Sequence, residues 1–220
     1  VCRMWARPGP ENVCSVEFAD TFNAQVECDL LFIHKFISFH LIDRCTRWHA
    51  AKLIENKEEE TLVNALEEIW VGIHGPMKEL FSDLETAIVE SELTNTYLRR
   101  KGIKLRPRAK DQHARFIERR GALLRDQIHK IESQLEAEGI KIPFARTLAE
   151  AVFCGNALLT IKDSTPYNSV YGRVPCILPG IDQIAEPNSS SEPMPGTIRD
   201  THRLREISVQ TMVEGSAEAR

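Results

Sequence analysis

The sequence lacks the apolar run of about 18 residues or more that a membrane-spanning helix needs. It shows no secretory signal at its start and no internal repeat. Its six cysteines stand at positions 2, 14, 28, 45, 154 and 176, without the regular spacing of a disulfide framework. We therefore expect an intracellular protein with reduced thiols and no membrane partner.

A tight cluster of cysteine and histidine is also missing, and such a cluster is typical of a zinc site. Cys2 could be the second half of a Cys-x-x-Cys pair whose first half lies upstream, although a stray thiol is the alternative. The chain begins at Val1, which indicates a segment cut from a longer protein. We expect residues 1–20 to be irregular and to be the possible end of an upstream zinc-binding region.

Charge is unevenly distributed along the 220 residues, which are enough for one ordinary domain with tails. The net charge is −4, yet Arg99–Arg125 contains eleven Lys or Arg residues against only Asp111 and Glu118. Such a basic block suits a surface that faces phosphate groups. A solvated helix face is an equally good interpretation of the charge alone.

Three short segments near the start predict an antiparallel sheet. Apolar and polar residues alternate over Phe22–Ile33, and Phe36–Ile42 and Trp48–Ile54 follow with a link short enough for a hairpin. Asp29 lies in the middle of the first strand, with apolar neighbours on its own face. A carboxylate buried there must be paired or must bind a cation. The alternative is a surface position beside a solvated Glu27.

Helices and strands alternate after this hairpin. The patterns predict a helix over 58–73, a strand ending at residue 83, a helix over 86–101, an edge strand at 103–105, a helix over 109–138, a helix over 148–161 and a turn-rich stretch over 165–179. The apolar face of the long helix consists of Ile117, Leu124, Ile128, Ile131 and Leu135. We divide the chain into a core domain (21–180), a linker (181–200) and a partial C-terminal helix (201–220). The order of the elements indicates an α/β fold with a mixed sheet flanked by helices.

Three acidic residues stand where these elements would meet. Asp29 would lie in the central strand, and Asp83 would end the strand beside it, at the rim where ligands bind in open α/β sheets. Glu118 borders the apolar face of the long helix, which would cross the rim near both. Taken alone, Glu118 is an ordinary solvated residue, and Asp43, a further acid at a strand end, fits a turn-forming role.

Carboxylates in this arrangement point to a metal site for phosphodiester chemistry. Mg²⁺ prefers oxygen ligands and is held by a few carboxylates, with water and substrate phosphate filling its shell. Two such ions can activate the attacking oxygen and stabilise the leaving one. Asp29, Asp83 and Glu118 are therefore the predicted ligands.

Five segments, in this order, resemble the catalytic core of retroviral and retrotransposon integrases, which have the ribonuclease H-like fold. They are Phe22–Asp29 (first strand), Leu41–Trp48 (second strand and turn), Gly75–Asp83 (approach to the second acid), Ile117–Arg120 (glutamate helix) and Ser164–Pro175 (closing signature of gypsy- and copia-type elements). The spacing between the second acid and the glutamate, 34 residues, is also close to that of the family. The resemblance covers roughly residues 22–179.

The resemblance implies a metal-dependent polynucleotidyl transferase that nicks element ends and joins the freed 3′-hydroxyl to target DNA. It implies that Asp29, Asp83 and Glu118 are catalytic and hold two Mg²⁺ (or Mn²⁺) ions, with Asp29 bridging them. Element ends and target DNA are the implied partners, together with a homo-oligomer that is nuclear when active. The residues implied to bind DNA are Arg99, Arg100, Lys101, Lys104, Arg106, Arg108, Lys110, Arg115, Arg119 and Arg125.

Three positions depart from the family pattern. Leu84-Glu85 follow the second acid where the family usually has a small or polar residue and glycine, and Arg115 replaces a common glycine three residues before the glutamate. These departures keep two alternatives open. One is a catalytically decayed or domesticated copy that binds nucleic acid, and the other is a hydrolase of the same fold that acts on RNA–DNA hybrids.

Overall fold

One five-stranded mixed sheet forms the centre of the protein. The computed structural model describes residues 19–83, 91–108, 115–161, 163–178 and 196–218. The strands are β1 (Gln25–Ile33), β2 (Phe36–Asp43), β3 (His49–Ile54), β4 (Glu79–Asp83) and β5 (Lys104–Arg108), in the spatial order β3-β2-β1-β4-β5. The first three strands pair antiparallel, whereas β4 is parallel to β1 and β5 is parallel to β4. The sequence prediction of a mixed sheet with β1 at its centre is confirmed.

Helices flank the sheet. Helix α1 begins as Glu59–Leu66, continues through a π-helical turn at Glu67–Val71 and ends with Gly72–His74; the others are α2 (Glu92–Arg100), α3 (Arg115–Ala137), α4 (Phe144–Leu158), α5 (Pro166–Tyr171) and α6 (Gly196–Glu218). Helix α5 lies in the stretch predicted to be turns only. It forms because the Thr165 side chain accepts a hydrogen bond from the Asn168 N–H and because Pro166 suits the first helical position.

The two faces of the sheet carry separate apolar clusters. Val26 and Cys28 of β1 pack towards α1, where Trp70 is fully buried. Leu31 and Ile33, of the opposite parity, pack against α3. All five apolar residues predicted for the long helix are buried, so its predicted inner face is confirmed. Each such side chain contributes about 1.5–3 kcal/mol when it leaves water.

Helix α6 adds a further layer. It packs against α3 and α4, with Leu204 and Ile207 buried in the α3 cluster. It begins at Gly196, earlier than the helix predicted from the sequence. Residues 1–18 and 179–195, which hold most of the predicted irregular segment and linker, lie outside the described residues.

Within the described ranges, no helix is both long enough and apolar enough to cross a membrane. The four cysteines described there, Cys28, Cys45, Cys154 and Cys176, are all free thiols. Cys2 and Cys14 lie outside the described residues.

Candidate functional site

The parallel pairing of β1 with β4 joins the two strands that carry Asp29 and Asp83. Glu27 pairs with Phe81, and Asp29 stands the same 54 positions before Asp83. Asp29 is half-buried in β1, and its Oδ1 accepts a hydrogen bond of 2.8 Å from the N–H of Leu30. Asp83 is the last residue of β4, and its side chain lies outside the described part of the structure.

The third predicted acid lies in the first turn of α3, and this turn is fastened to β1. The N–H of Ile117 donates a hydrogen bond of 3.2 Å to Oε2 of Glu27. Glu118 follows Ile117 directly, and its side chain is exposed. Glu27 lies two residues before Asp29 on the same strand face. Asp29 and Glu118 therefore stand on two elements that meet at Glu27, and Asp83 ends the strand that pairs with β1.

Glu27, which the alternative interpretation of β1 would leave solvated, is only 2% exposed. Its Oε1 lies 3.1 Å from Nε of Arg44, and its Oε2 accepts the hydrogen bond from Ile117. The first N–H groups of a helix need acceptors from outside the helix, and a buried carboxylate needs donors. Glu27 thus holds α3, which carries Glu118, against the central strand. The alternation that places Glu27 on the face of Asp29 is the sequence signal that could have identified it.

Two arginines beside Glu27 lie over aromatic rings. The guanidinium carbon of Arg44 is 4.5 Å from the centre of the Phe81 ring, and that of Arg47 is 3.4 Å from the centre of the Phe116 ring. Phe81 belongs to β4, and Phe116 belongs to the first turn of α3. Each contact stabilises by about 0.5–2 kcal/mol. The arginines therefore link the β2–β3 turn to β4 and α3, two of the three elements that carry a predicted metal ligand.

Asp43 has the turn-forming role that the sequence favours. Its Oδ2 accepts hydrogen bonds from the N–H of Cys45 (3.0 Å) and from the N–H (2.6 Å) and hydroxyl (2.9 Å) of Thr46. Its Oδ1 accepts one from the N–H of Asn23 (3.0 Å). Burial raises the pKa of Asp43, and these hydrogen bonds oppose that shift. The turn therefore holds Oδ2, and the N–H of Asn23, just before β1, holds Oδ1.

A buried polar layer lies on the side of α3 away from Glu118. Arg120 is 5% exposed and lies beside the imidazoles of His40 and His49, which are joined by a 3.1 Å hydrogen bond. Burial lowers the pKa of Arg120 to about 9. Burial and the charge of Arg120 together lower the pKa of His40 to about 3 and also lower the pKa of His49. Both histidines are therefore neutral in the folded protein at physiological pH.

Helix α4 closes this layer through two adjacent residues. A Cβ on Gly155 would lie 2.8 Å from Nη2 of Arg120 and 2.9 Å from Nε2 of His49, so a larger residue there would force one of these side chains to move. The amide of Asn156 accepts a hydrogen bond from the N–H of His49 (3.0 Å) and donates one to its carbonyl (2.8 Å). Asn156 thereby provides hydrogen-bond partners for the N–H and C=O of His49, at the edge of the sheet.

Most of the described arginines and lysines of the basic block are exposed, but one is buried. The exposed side chains among the predicted DNA-binding residues are those of Arg99, Arg100, Lys101, Lys104, Arg106, Arg119 and Arg125. The side chains of Arg108 and Arg115, and all of Lys110, lie outside the described residues. Lys101 is 2.9 Å from Glu67, and Arg106 is 2.8 Å from Glu79, so two of these cations already have acidic partners. Arg120, from the same block, is buried and does not contribute to the surface.

The chemistry of the predicted ligands suits a hard cation. All three are carboxylates, which are the oxygen donors that Mg²⁺ prefers. Asp29 comes from the central strand, and Glu118 comes from a helix fastened to that strand through Glu27. Residues on paired elements of this kind are held in a fixed relation to one another, as a metal site requires.

Comparison with known proteins gives matches at the level of structure. Scans against protein-family models and curated protein sequences give no match. The chain is similar to the catalytic core domain of HTLV-2 integrase in complex with magnesium, in its dimeric form, with a TM-score of 0.56 and 13% identity over 66% of this chain and 94% of that chain. The catalytic core domain of BIV integrase gives a TM-score of 0.56 and 14% identity over 66% of this chain and 92% of that chain.

A longer match is found in the simian T-cell lymphotropic virus intasome, with a TM-score of 0.63 and 15% identity over 82% of this chain and 66% of that chain. At these identities the likeness concerns the fold. The strand order, the parallel β1–β4 pair and the helix that follows β5 are the features described above. The chain therefore has the ribonuclease H-like fold of retroviral integrase catalytic cores, as its sequence motifs predict.

Proposed function

We propose that this chain is the catalytic domain of a retrotransposon integrase, of gypsy or copia type by its closing segment Ser164–Pro175. Its reaction is the metal-dependent nicking of element 3′ ends and their transfer to target DNA. The observation that carries the proposal is the meeting of β1, β4 and the first turn of α3, each with one acid of the predicted trio. The fold shared with integrase cores supports it.

Each acid has a role in this proposal. Asp29, Asp83 and Glu118 bind two Mg²⁺ (or Mn²⁺) ions, and Asp29 is shared between them. Such ions activate the attacking oxygen and stabilise the leaving oxygen of a phosphodiester. Magnesium is present in the HTLV-2 core to which the chain is similar, which supports this choice of ion. Glu27 keeps α3 in place, so that Glu118 stays beside Asp29.

The proposed partners are DNA and further copies of the chain. The exposed arginines and lysines of the basic block contact backbone phosphates, which position the duplex without reading its sequence. The similar solved proteins include dimeric and trimeric forms of one integrase core and an intasome, which supports a homo-oligomer. Such a complex acts on chromosomal DNA, so we place the active protein in the nucleus.

Strand transfer by the Asp83→Asn variant tests the catalytic assignment. We expect transfer of labelled element ends to fall by a factor on the order of 10³, because a lost metal ligand removes several kcal/mol of transition-state stabilisation. DNA binding, measured by fluorescence anisotropy, should be nearly unchanged. Asp126→Asn is the matched control, since Asp126 is an exposed α3 carboxylate that pairs only locally with Lys130. Transfer by Asp83→Asn at the wild-type rate would refute the assignment.

The alternative of a decayed copy is favoured by Leu84-Glu85 and Arg115, where the family usually has small residues and glycine. Calorimetric titration of the wild-type chain with Mn²⁺ separates the two. An active domain binds Mn²⁺ in a manner that Asp29→Asn abolishes. A decayed domain binds DNA but shows no Mn²⁺ binding that depends on this carboxylate.

A further inference from the structure

A second group of metal-binding side chains lies far from the carboxylate trio. His34 stands in the turn between β1 and β2, and His129 and Glu132 stand on α3. Within the described residues, they form the one group of three or more His, Cys, Asp or Glu side chains that are close enough together to hold a metal ion. Their ligand atoms all lie within 4.8 Å of one another. Nε2 of His34 is 2.8 Å from Oε2 of Glu132. The rings of His34 and His129 meet edge to face, with their centres 4.8 Å apart.

We propose that His34, His129 and Glu132 form a binding site for one Zn²⁺ ion. Two imidazoles and one carboxylate are the donor set of three-ligand zinc sites, whereas Mg²⁺ prefers oxygen donors alone. A water molecule would complete the tetrahedron. Zinc lies about 2.0–2.2 Å from such donors, so the ligand atoms of a tetrahedral site lie roughly 3.4 Å apart. Small rotations of the exposed His34 and His129 side chains close the remaining gap.

The backbone holds the ligands in place. Ile33 pairs with Phe36, so His34 occupies the first position of a two-residue hairpin turn, with a φ of 51°. On α3, His129 and Glu132 are three residues apart and are therefore neighbours on the helix surface. The fully buried Ile128 and Ile131 fix the rotation of that helix. The ligands thus come from a tight turn and a packed helix, not from mobile loops.

The position of this site separates it from the proposed reaction. His34 is five residues beyond Asp29 on β1, or roughly 16 Å at about 3.3 Å per residue. His129 is eleven residues beyond Glu118 on α3, also roughly 16 Å at about 1.5 Å per residue. A zinc ion here would clamp the β1–β2 turn to the middle of α3. Its role is to stabilise the helix that carries Glu118, and it needs no catalytic activity.

Zinc titration of the complete chain tests this inference, with Mg²⁺ in large excess to saturate the carboxylate trio. We expect calorimetry to show binding of one Zn²⁺ per chain at this site, and thermal unfolding to shift upwards because the ion binds the folded state. His129→Ala should weaken binding by at least about tenfold and remove the shift. His34→Asn should do the same, and asparagine tolerates the positive φ of the turn. His202→Ala is the control, because His202 lies on α6 and pairs with Glu206 on its own helix.

Co²⁺ substitution identifies the ligands. We expect the visible bands of four-coordinate cobalt without thiolate charge-transfer bands, and their loss in His129→Ala. Thiolate bands, or equal zinc affinity in wild type, His129→Ala and His34→Asn, would overturn the site. Because Asp29→Asn should leave this zinc binding intact, failure here and failure of the proposed strand transfer are distinguishable.

Discussion

At position 27 a glutamate with 2% exposure lies between Arg44 and the first turn of α3. We predict that Glu27→Ala lowers the free energy of unfolding by about 3–5 kcal/mol, because it removes the carboxylate that faces Nε of Arg44 and accepts from the Ile117 N–H. Urea denaturation measures the loss. Glu68→Ala is the control; Glu68 forms an exposed ion pair with Lys52, and such pairs contribute about 0–1 kcal/mol.

An equal loss in the two variants would contradict the role given to Glu27. If Glu27 positions α3, Glu27→Gln should also weaken Mn²⁺ binding at the carboxylate trio, although Glu27 is not one of the proposed ligands. If Glu27→Gln folds but binds Mn²⁺ more weakly, then Glu27 positions α3 for metal binding and does not act on the stability of the fold alone.

The buried imidazoles predict a pH dependence of stability. The pKa of His40 is lowered to about 3, so below pH about 6.5 the unfolded chain takes up a proton that the folded chain does not. Stability is therefore complete above that pH and falls as the pH drops. Between pH 7.5 and 5.5 the loss from His40 is about 1 kcal/mol, and the lowered pKa of His49 acts in the same direction.

Urea denaturation at both pH values checks this expectation. The His40→Gln variant should show a smaller loss on acidification than wild type, whereas His202→Gln, at a partly exposed position on α6, should show the same loss as wild type. Identical losses in wild type and His40→Gln would contradict the neutral buried state of His40.

At the scale of elements, the contact between α4 and α3 depends on the absence of a side chain at position 155. We predict that Gly155→Ala destabilises the fold by about 1–3 kcal/mol, because its Cβ would lie under 3.0 Å from both Arg120 and His49. Thermal unfolding measures the effect. In Gly215→Ala, on α6, the nearest atom to the new Cβ is Nζ of Lys130 at 3.7 Å, so that change should be neutral or stabilising by up to about 1 kcal/mol. The reverse order of the two effects would contradict this packing.

The sequence predicts the elements well where periodicity is strong. The alternation in β1 and the apolar face of α3 give both elements and their inward residues, since burial on one side imposes a period on the sequence. The same logic fails for α5, where a capping threonine and a proline form a helix too short to show a period. The start of the last helix is also predicted too late, because α6 begins at Gly196, inside the predicted linker.

The candidate site is predictable only in part. Asp29 and Asp83 follow from strand pattern and spacing, and the structure pairs their strands in parallel. The alternation in β1 places Glu27 on the face of Asp29, but it does not reveal the partners Arg44 and Ile117. Arg120 and the His40–His49 pair do not follow at all, because the identity of a polar residue does not indicate which buried group it contacts. Arg120 in particular stands among exposed arginines, and only the packing of α4 identifies it as internal.

At the scale of the whole molecule, contacts with the sheet, with α4 and with α6 hold α3 in place. Glu27 binds the first turn of α3 to β1. Arg120, on the opposite side of α3, is buried against β2, β3 and α4. The proposed zinc ligands hold its middle to the β1–β2 turn, and α6 packs along it. Since α3 carries Glu118, the scaffold restricts the movement of one acid relative to the other two.

The central claim is that Asp29, Asp83 and Glu118 bind the same divalent ions. Anomalous diffraction from crystals grown with Mn²⁺ tests it most directly. We predict manganese peaks within about 2.5 Å of carboxylate oxygens of all three residues, and their loss in crystals of Asp29→Asn. Manganese bound elsewhere, or carboxylates too far apart to share an ion, would contradict the claim.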